Sequence, residues 1–299
     1  MRLKADLTLL FVSIVWGSAF VAQRVAGQLG SVYLFNGVRY LMAALVVLPV
    51  AIRVGRTPNL TSMPHEQYKW IFVAGFVLFV GIALQQAGML YTTAGNAGFI
   101  TALYVVLVPF ALFAIWREKP HWLSVVAVIL AGLGAFFLST GGKFEVRTGD
   151  ALELASAFFW TFHVIILGKQ ASRFESLSFS VGQLVVCAIL NLGLGAFVER
   201  SIPFGWPLLG AIAYTAFFSL GLCYTLQIWV QKHTPPADAA LILGLESVFA
   251  VLAGWLLLDE QLAVIQILGC VMIFIAVLLS QFKEWNSGKI DYDHLVEGR

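Results

Sequence analysis

Glu246 stands inside an apolar run that begins near Pro236 and ends near Leu258. A carboxylate in such a run is costly in hydrocarbon unless it is paired, protonated or wet, and intramembrane acids usually face a cavity or a pathway. It could carry a proton or hold a substrate ammonium. A protonated acid bonded to a neighbouring helix is the competing reading. Gln85 and Gln227 lie 142 residues apart in two other apolar runs. Uncharged amides there could grip a zwitterion or bond facing helices. Trp16 and Trp160 recur 144 residues apart. Phe159 and His163 share a helix face by their spacing of four, and Tyr224 shares a face with Gln227 by its spacing of three. Such side chains offer flat apolar area and edge hydrogen bonding to a ring or thioether, or they simply pack. His163 could titrate near neutral pH or stay a neutral hydrogen-bonding residue.

Tyr104 occupies the position that corresponds to Glu246 at the 142-residue spacing, and Asn96 corresponds to Asp238. Thr234, Pro235 and Pro236 precede Asp238 as a helix start, so capping of the first turn competes with cavity lining for both. Arg39 and Arg24 fall within apolar runs, where a structural pair or a snorkelling side chain is favoured over substrate contact. Pro109 removes one backbone hydrogen bond and predicts a kink.

The elements that must position these residues are membrane helices. Apolar types make up 60% of the 299 residues and charged types 11%. A soluble domain carries about 25% charged residues, so this chain could not build a water-facing surface. Apolar runs lie near 7–26, 32–52, 70–91, 95–116, 121–139, 150–168, 177–198, 206–230, 236–258 and 262–282. Each is long enough for a helix across a ~30 Å core, and none alternates as barrel strands do. Ala127, Ala131 and Ala135 recur every four residues in the fifth run and predict a close helix-packing face.

The pattern occurs twice. Asp6 and Trp16 return as Asp150 and Trp160, and Arg117-Glu118 returns as Asp259-Glu260. A five-span unit repeated in tandem enters the membrane in opposite senses, the inverted repeat of secondary transporters. The expected division is a first repeat over 1–142, a second over 143–284 and a polar, disordered tail over 285–299. With the N-terminus in the cytoplasm, thirteen Lys and Arg fall in inside connections and three outside. That bias places both termini in the cytoplasm. Trp70, Trp122, Trp206 and Trp285 sit near run ends as interfacial anchors. Arg2 and Lys4 resemble the start of a signal peptide, but the run behind them is too long for one and belongs to the repeat.

Several chemistries lack their motifs. The Gly-Lys pairs at 142–143 and 168–169 have no Walker A frame, and no HExxH or GxSxG sequence appears. No filter loop or ring of like charges suggests a channel. Cys187, Cys223 and Cys270 fall in separate runs with no metal-ligand spacing and read as free buried thiols.

With those residues in view the chain resembles the EamA-type drug/metabolite transporter superfamily. The resemblance rests on Trp16-Gly17-Ser18-Ala19-Phe20, on Arg39 with Ala43-Ala44, and on Asn96-Ala97-Gly98-Phe99-Ile100. Glu118 and Glu260 just after spans 4 and 9 add to it, as do Gly132 and Gly269 in the spans that follow. It covers about residues 6–282. Each motif alone is weak, and the two copies in register make the signal specific. Gln183 stands where Arg39 would map, and Thr161-Phe162-His163 replaces Gly17-Ser18-Ala19, so the halves cannot make identical contacts with substrate. The resemblance, closest to bacterial exporters of amino acids and related metabolites, implies a central cavity lined by spans 1, 3, 4, 6, 8 and 9.

The expectation is an all-α integral membrane protein of ten transmembrane helices, two inverted five-helix repeats around a central cavity, in the bacterial inner membrane. It is a secondary transporter rather than an enzyme, exporting aromatic and other apolar amino acids by alternating access between rocking halves. The expected substrate-binding residues are Trp16, Gln85, Asn96, Tyr104, Trp160, His163, Tyr224, Gln227 and Glu246. Partners are a small-molecule substrate and the bilayer, with no nucleic acid, no cofactor and no metal; a monomer suffices. Two alternatives stay open. A sugar-phosphate or nucleotide-sugar exchanger would need Lys or Arg deep in the cavity. A membrane-embedded lipid enzyme would need a nucleophile with its base, and a receptor would need surface for partners.

Overall fold

The computed structural model describes residues 2–29, 31–53, 65–140, 148–170, 173–199, 205–259, 261 and 263–279. Glu260, Trp285 and the polar tail lie outside them. Lipid offers the backbone no hydrogen bonds, so each span must satisfy its own amides within a helix. Among the described residues there is helix and no strand. The first repeat region carries α1 (Arg2–Gln28), α2 (Tyr33–Arg53), α3 (His65–Gly88), α4 (Ala94–Ala102), α5 (Tyr104–Trp116) and α6 (Trp122–Thr140). The second carries α7 (Thr148–Gln170), α8 (Ser176–Val198), α9 (Trp206–Tyr214), α10 (Cys223–Val230), α11 (Pro236–Leu243), α12 (Glu246–Leu258) and α13 (Val264–Leu279). A π-helical stretch, Thr215–Leu222, joins α9 to α10. Counted as continuous spans, eight segments are long and apolar enough to cross a membrane, and Trp122–Leu138 and Val264–Leu279 are shorter apolar helices. Side chains such as Phe110, Leu256, Leu257 and Val264 stay exposed on the outside. A surface that apolar is stable against lipid tails, not water. Trp122 and Trp206 are exposed at the first residues of their helices, the anchor positions expected for them.

Two spans are interrupted at matching points. The first breaks at Leu103, where the Leu103 N–H donates to the Ile100 carbonyl and the Val106 N–H to the Leu103 carbonyl. The second breaks at Gly244–Leu245, where the Leu245 N–H donates to the Ile242 carbonyl and the Ser247 N–H to the Gly244 carbonyl. These tightened turns offset the register of α4 from α5 and of α11 from α12. Each interrupted span then ends on a left-handed residue, Arg117 at φ 60° and Asp259 at φ 54°. The kink expected at Pro109 is not where the span breaks: Pro109 lies inside continuous α5, six residues beyond Leu103.

Packing between helices relies on small residues, because lipid tails remove the hydrophobic gain of association. A Cβ on Gly17 would lie 2.6 Å from the Glu246 carbonyl oxygen, and one on Gly98 would lie 2.7 Å from the Ala250 Cβ. These glycines let α1 and α4 seat directly on the start of α12. A Cβ on Gly134 would lie 2.7 Å from the Gly269 carbonyl oxygen, so α6 and α13 cross backbone to backbone. Ala127, Ala131 and Ala135 are buried in α6, as their spacing requires. The most extensive contacts join α2 to α8, α3 to α7 and α1 to α12. Glu199, at the end of α8, adds a tie: its carboxylate accepts the Val32, Tyr33 and Leu34 N–H groups at 2.8, 2.8 and 2.9 Å, closing the first turn of α2.

Candidate functional site

The faces of α1, α2, α3, α4, α5, α7, α10, the π-helical stretch and α12 meet around one internal cavity. It leaves about 50 Å³ open to the centres of water-sized molecules. One water needs roughly 10–15 Å³ on that measure, so this form admits a few waters and nothing larger.

An aromatic wall runs along one side. The Trp160 and His163 rings are 6.0 Å apart edge to face, His163 and Tyr224 are 5.7 Å apart edge to face, and Trp16 and Tyr224 are 5.2 Å apart. These distances are favourable for aromatic pairs. Tyr40 joins at 6.4 Å from Tyr224. The Trp16 indole N–H donates to the Ser219 carbonyl at 2.8 Å, inside the π-helical stretch. A π turn widens the backbone ring and often sits at a functional site. Hydrophobicity alone gave no sign of it. His163 Nε2 and the Gln183 Oε1 are 3.0 Å apart.

Polar side chains line the same cavity. Glu246 opens α12 and Tyr104 opens α5, each directly after its interruption, and the two side chains are neighbours. The start of a helix is a favourable place for a negative group. Gln85 donates its amide N–H to the Thr101 hydroxyl at 2.8 Å. Gln227 differs from its counterpart: both its amide nitrogen and its oxygen are buried without a hydrogen bond. The Trp160 indole nitrogen is likewise buried without a partner. Buried polar groups normally find partners, which makes these two side chains stand out on the cavity wall.

Of the residues expected to bind substrate, Trp16, Gln85, Tyr104, Trp160, His163, Tyr224, Gln227 and Glu246 all line this cavity. Asn96 is placed elsewhere. Its side-chain amide donates to Asp150 at 2.8 Å and to Thr92 at 2.9 Å, and its backbone N–H to Thr93 at 3.2 Å. Thr93 thus caps the first turn of α4, and the Asn96 side chain ties that turn to the start of α7. Asp238 is buried in the first turn of α11, outside the cavity lining. Arg24 donates to the Met89 carbonyl and ties α1 to the end of α3.

Gln23, Arg39, Tyr40, Thr101 and Ser219 line the cavity without having been singled out for it. Among the described residues no acid pairs with Arg39, and at 1% exposure it does not snorkel. Glu153 was overlooked altogether. It is fully buried on α7, one carboxylate oxygen 3.4 Å from the Thr101 hydroxyl and the other without a partner. Through Thr101 it reaches Gln85. The rule that flags Glu246, an acid inside an apolar run, flags Glu153 equally well.

Comparison with known proteins agrees with this architecture. The EamA-like transporter family matches residues 3–140 and again 147–282. A transporter of Archaeoglobus fulgidus is 32% identical over 93% of this chain and 86% of its own length. The inner membrane transporter YedA of Escherichia coli K12 is 25% identical over 89% of this chain and 87% of its own. A solved crystal structure superposes with a TM-score of 0.75 over 94% of this chain and 98% of the other, at 17% identity, which shows a shared fold. The double match to one family, spanning almost every described helix, identifies a multi-pass membrane protein of transport: the chain belongs to the EamA-like transporter family.

Proposed function

We propose that this transporter exports small zwitterionic metabolites, foremost aromatic and other apolar amino acids, across the bacterial inner membrane. The observation that carries the reading is the make-up of one cavity: a carboxylate, Glu246, lines it together with tilted and edge-to-face aromatic rings and the Gln85 and Gln227 amides. A ring-bearing side chain packs on Trp160, His163, Tyr224 and Trp16. The substrate ammonium pairs with Glu246, and the amides take remaining polar contacts.

The mechanism is alternating access around this fixed site. Ten helices in two inverted repeats, residues 1–142 and 143–284, supply the symmetry, and the matched interruptions at Leu103 and Gly244–Leu245 support it. In the closed form the cavity is too small for an amino acid, so binding and release require the walls to part. Substrate enters from the cytoplasmic side, where both termini lie. Because α1 packs on α12 and α7 on α3, the moving bodies mix helices of both repeats. One chain contains the whole pathway.

A sugar-phosphate exchanger gains one supporting observation, since Arg39 lies on the wall. A phosphate dianion would also face Glu246, a like charge, and that disfavours it. The deciding measurement is uptake of labelled amino acids into proteoliposomes, with and without a pH gradient, with a nucleotide-sugar as control. Saturable uptake of phenylalanine or a similar amino acid is expected, with Glu246→Gln at least tenfold slower. If the gradient speeds uptake, that effect should vanish in Glu246→Gln. Flux of the control without amino-acid flux would overturn the reading.

A further inference from the structure

Arg39 is the one guanidinium on the cavity wall, and its surroundings leave its charge unanswered. Its Nε and Nη2 donate to the Asn36 Oδ1 at 3.1 and 2.8 Å, and Nη2 also to the Gln23 Oε1 at 3.0 Å. The Phe35 ring lies 4.7 Å from its central carbon and the Tyr40 ring 5.5 Å. The ionisable groups that bear on it are Tyr40, Tyr224 and Cys187, none of them a carboxylate. Among the described residues no acid pairs with it, and no hydrogen bond occupies Nη1.

A buried cation held only by neutral amides and ring faces is costly, because desolvation is not offset by an opposite charge. Arg39 is also held in place. Asn36 donates its side-chain amide to the Ile82 carbonyl at 3.3 Å, so the amide that accepts from both Nε and Nη2 is itself anchored, and the Gln23 backbone carbonyl accepts from Gln86 at 2.9 Å. A pre-oriented donor lowers the entropy lost on binding. Its planar fork suits a carboxylate.

We infer that Arg39 recognises the carboxylate of the substrate, and that Arg39 and Glu246 form the two poles of a site selective for zwitterions. The inference rests on the amino-acid reading above and assigns the end of the substrate that the reading leaves unassigned. A zwitterion neutralises both poles. An amine leaves Arg39 uncompensated, and a simple carboxylic acid leaves Glu246 so.

The test is competition against labelled phenylalanine in proteoliposomes by phenylalaninamide, which lacks the carboxylate, and by 3-phenylpropionate, which lacks the ammonium. The wild type should prefer phenylalanine to both. Arg39→Gln should lose the preference over the amide by about tenfold while keeping the preference over 3-phenylpropionate. Glu246→Gln should show the reverse pattern. Arg39→Lys keeps the charge and should keep the preference at reduced affinity, which separates recognition from folding. A merely structural arginine would lower flux without changing the ranking, and an unchanged ranking in Arg39→Gln overturns the inference. Absence of amino-acid flux in the wild type would instead sink the functional reading. In that case the tryptophan fluorescence of Trp16 and Trp160, titrated with 3-phenylpropionate in detergent, still decides. Binding that is lost in Arg39→Gln upholds an anion site, and no binding by the wild type overturns it.

Discussion

Gln227 offers a direct way to separate function from packing at the level of one side chain. Its amide is buried with neither polar atom bonded. Replacing a group of that kind with an apolar one of similar size is often neutral or stabilising. Gln227→Leu should therefore leave the unfolding temperature in detergent unchanged or raise it, while cutting transport at least tenfold. A fall in both would make the amide structural. Tyr224→Ala behaves differently, because its ring touches Trp16, Tyr40 and His163. Its loss should cost about 3 kcal/mol of stability as well as transport, measured by thermal unfolding beside flux. Much of the polar and aromatic lining of the cavity was legible at this scale. Polar and aromatic side chains are expensive or bulky in apolar runs, so each advertises itself. Asn96 lies away from this cavity because its side chain turns to Thr92 and Asp150, partners that an apolar run in the sequence does not reveal. The place of Arg39 on the cavity wall was not legible for a related reason: sequence shows a charge's cost but not which groups surround it.

The helices themselves were legible from hydrophobic length, and their ends fall within a few residues of the expected ones apart from the start of α1 and α3. The internal breaks were not. Hydropathy is blind to backbone hydrogen-bond register, so neither the turn at Leu103 nor the π-helical stretch leaves a mark on it. Pro109, which promised a bend, lies in unbroken helix. Glycines, by contrast, forecast contact. Gly134→Val would drive side-chain atoms into the α13 backbone at Gly269, an overpacking worth about 1–3 kcal/mol. Gly193 in α8 has nothing within 4 Å of its would-be Cβ, so Gly193→Ala should hold or slightly raise stability. Unfolding temperatures of the two variants side by side check the contrast.

At the scale of the whole molecule the orientation is a prediction from charge alone. Reporter fusions active only in the cytoplasm should work at both ends, and fusions to the 140–148 connection should be silent. Family membership and the helical membrane class were readable because two weak motif sets recurred in register. Which groups of helices pack together was not, since a repeat in sequence says nothing about which copy a helix will pack against.

The partners of the first helices lie far along the chain. α1 rests on α12, α3 on α7 and α2 on α8. Glu199 must be made before it can close the first turn of α2. Ribosomes add about 5–20 residues each second, so α1 waits roughly 10–40 s for the surface that covers Gly17. Throughout that interval Arg39 and the glycine faces of the first helices stand without their final neighbours. The first half is therefore made well before the helices it packs on. Truncation after the first repeat should yield not a smaller transporter but a substrate for membrane proteases.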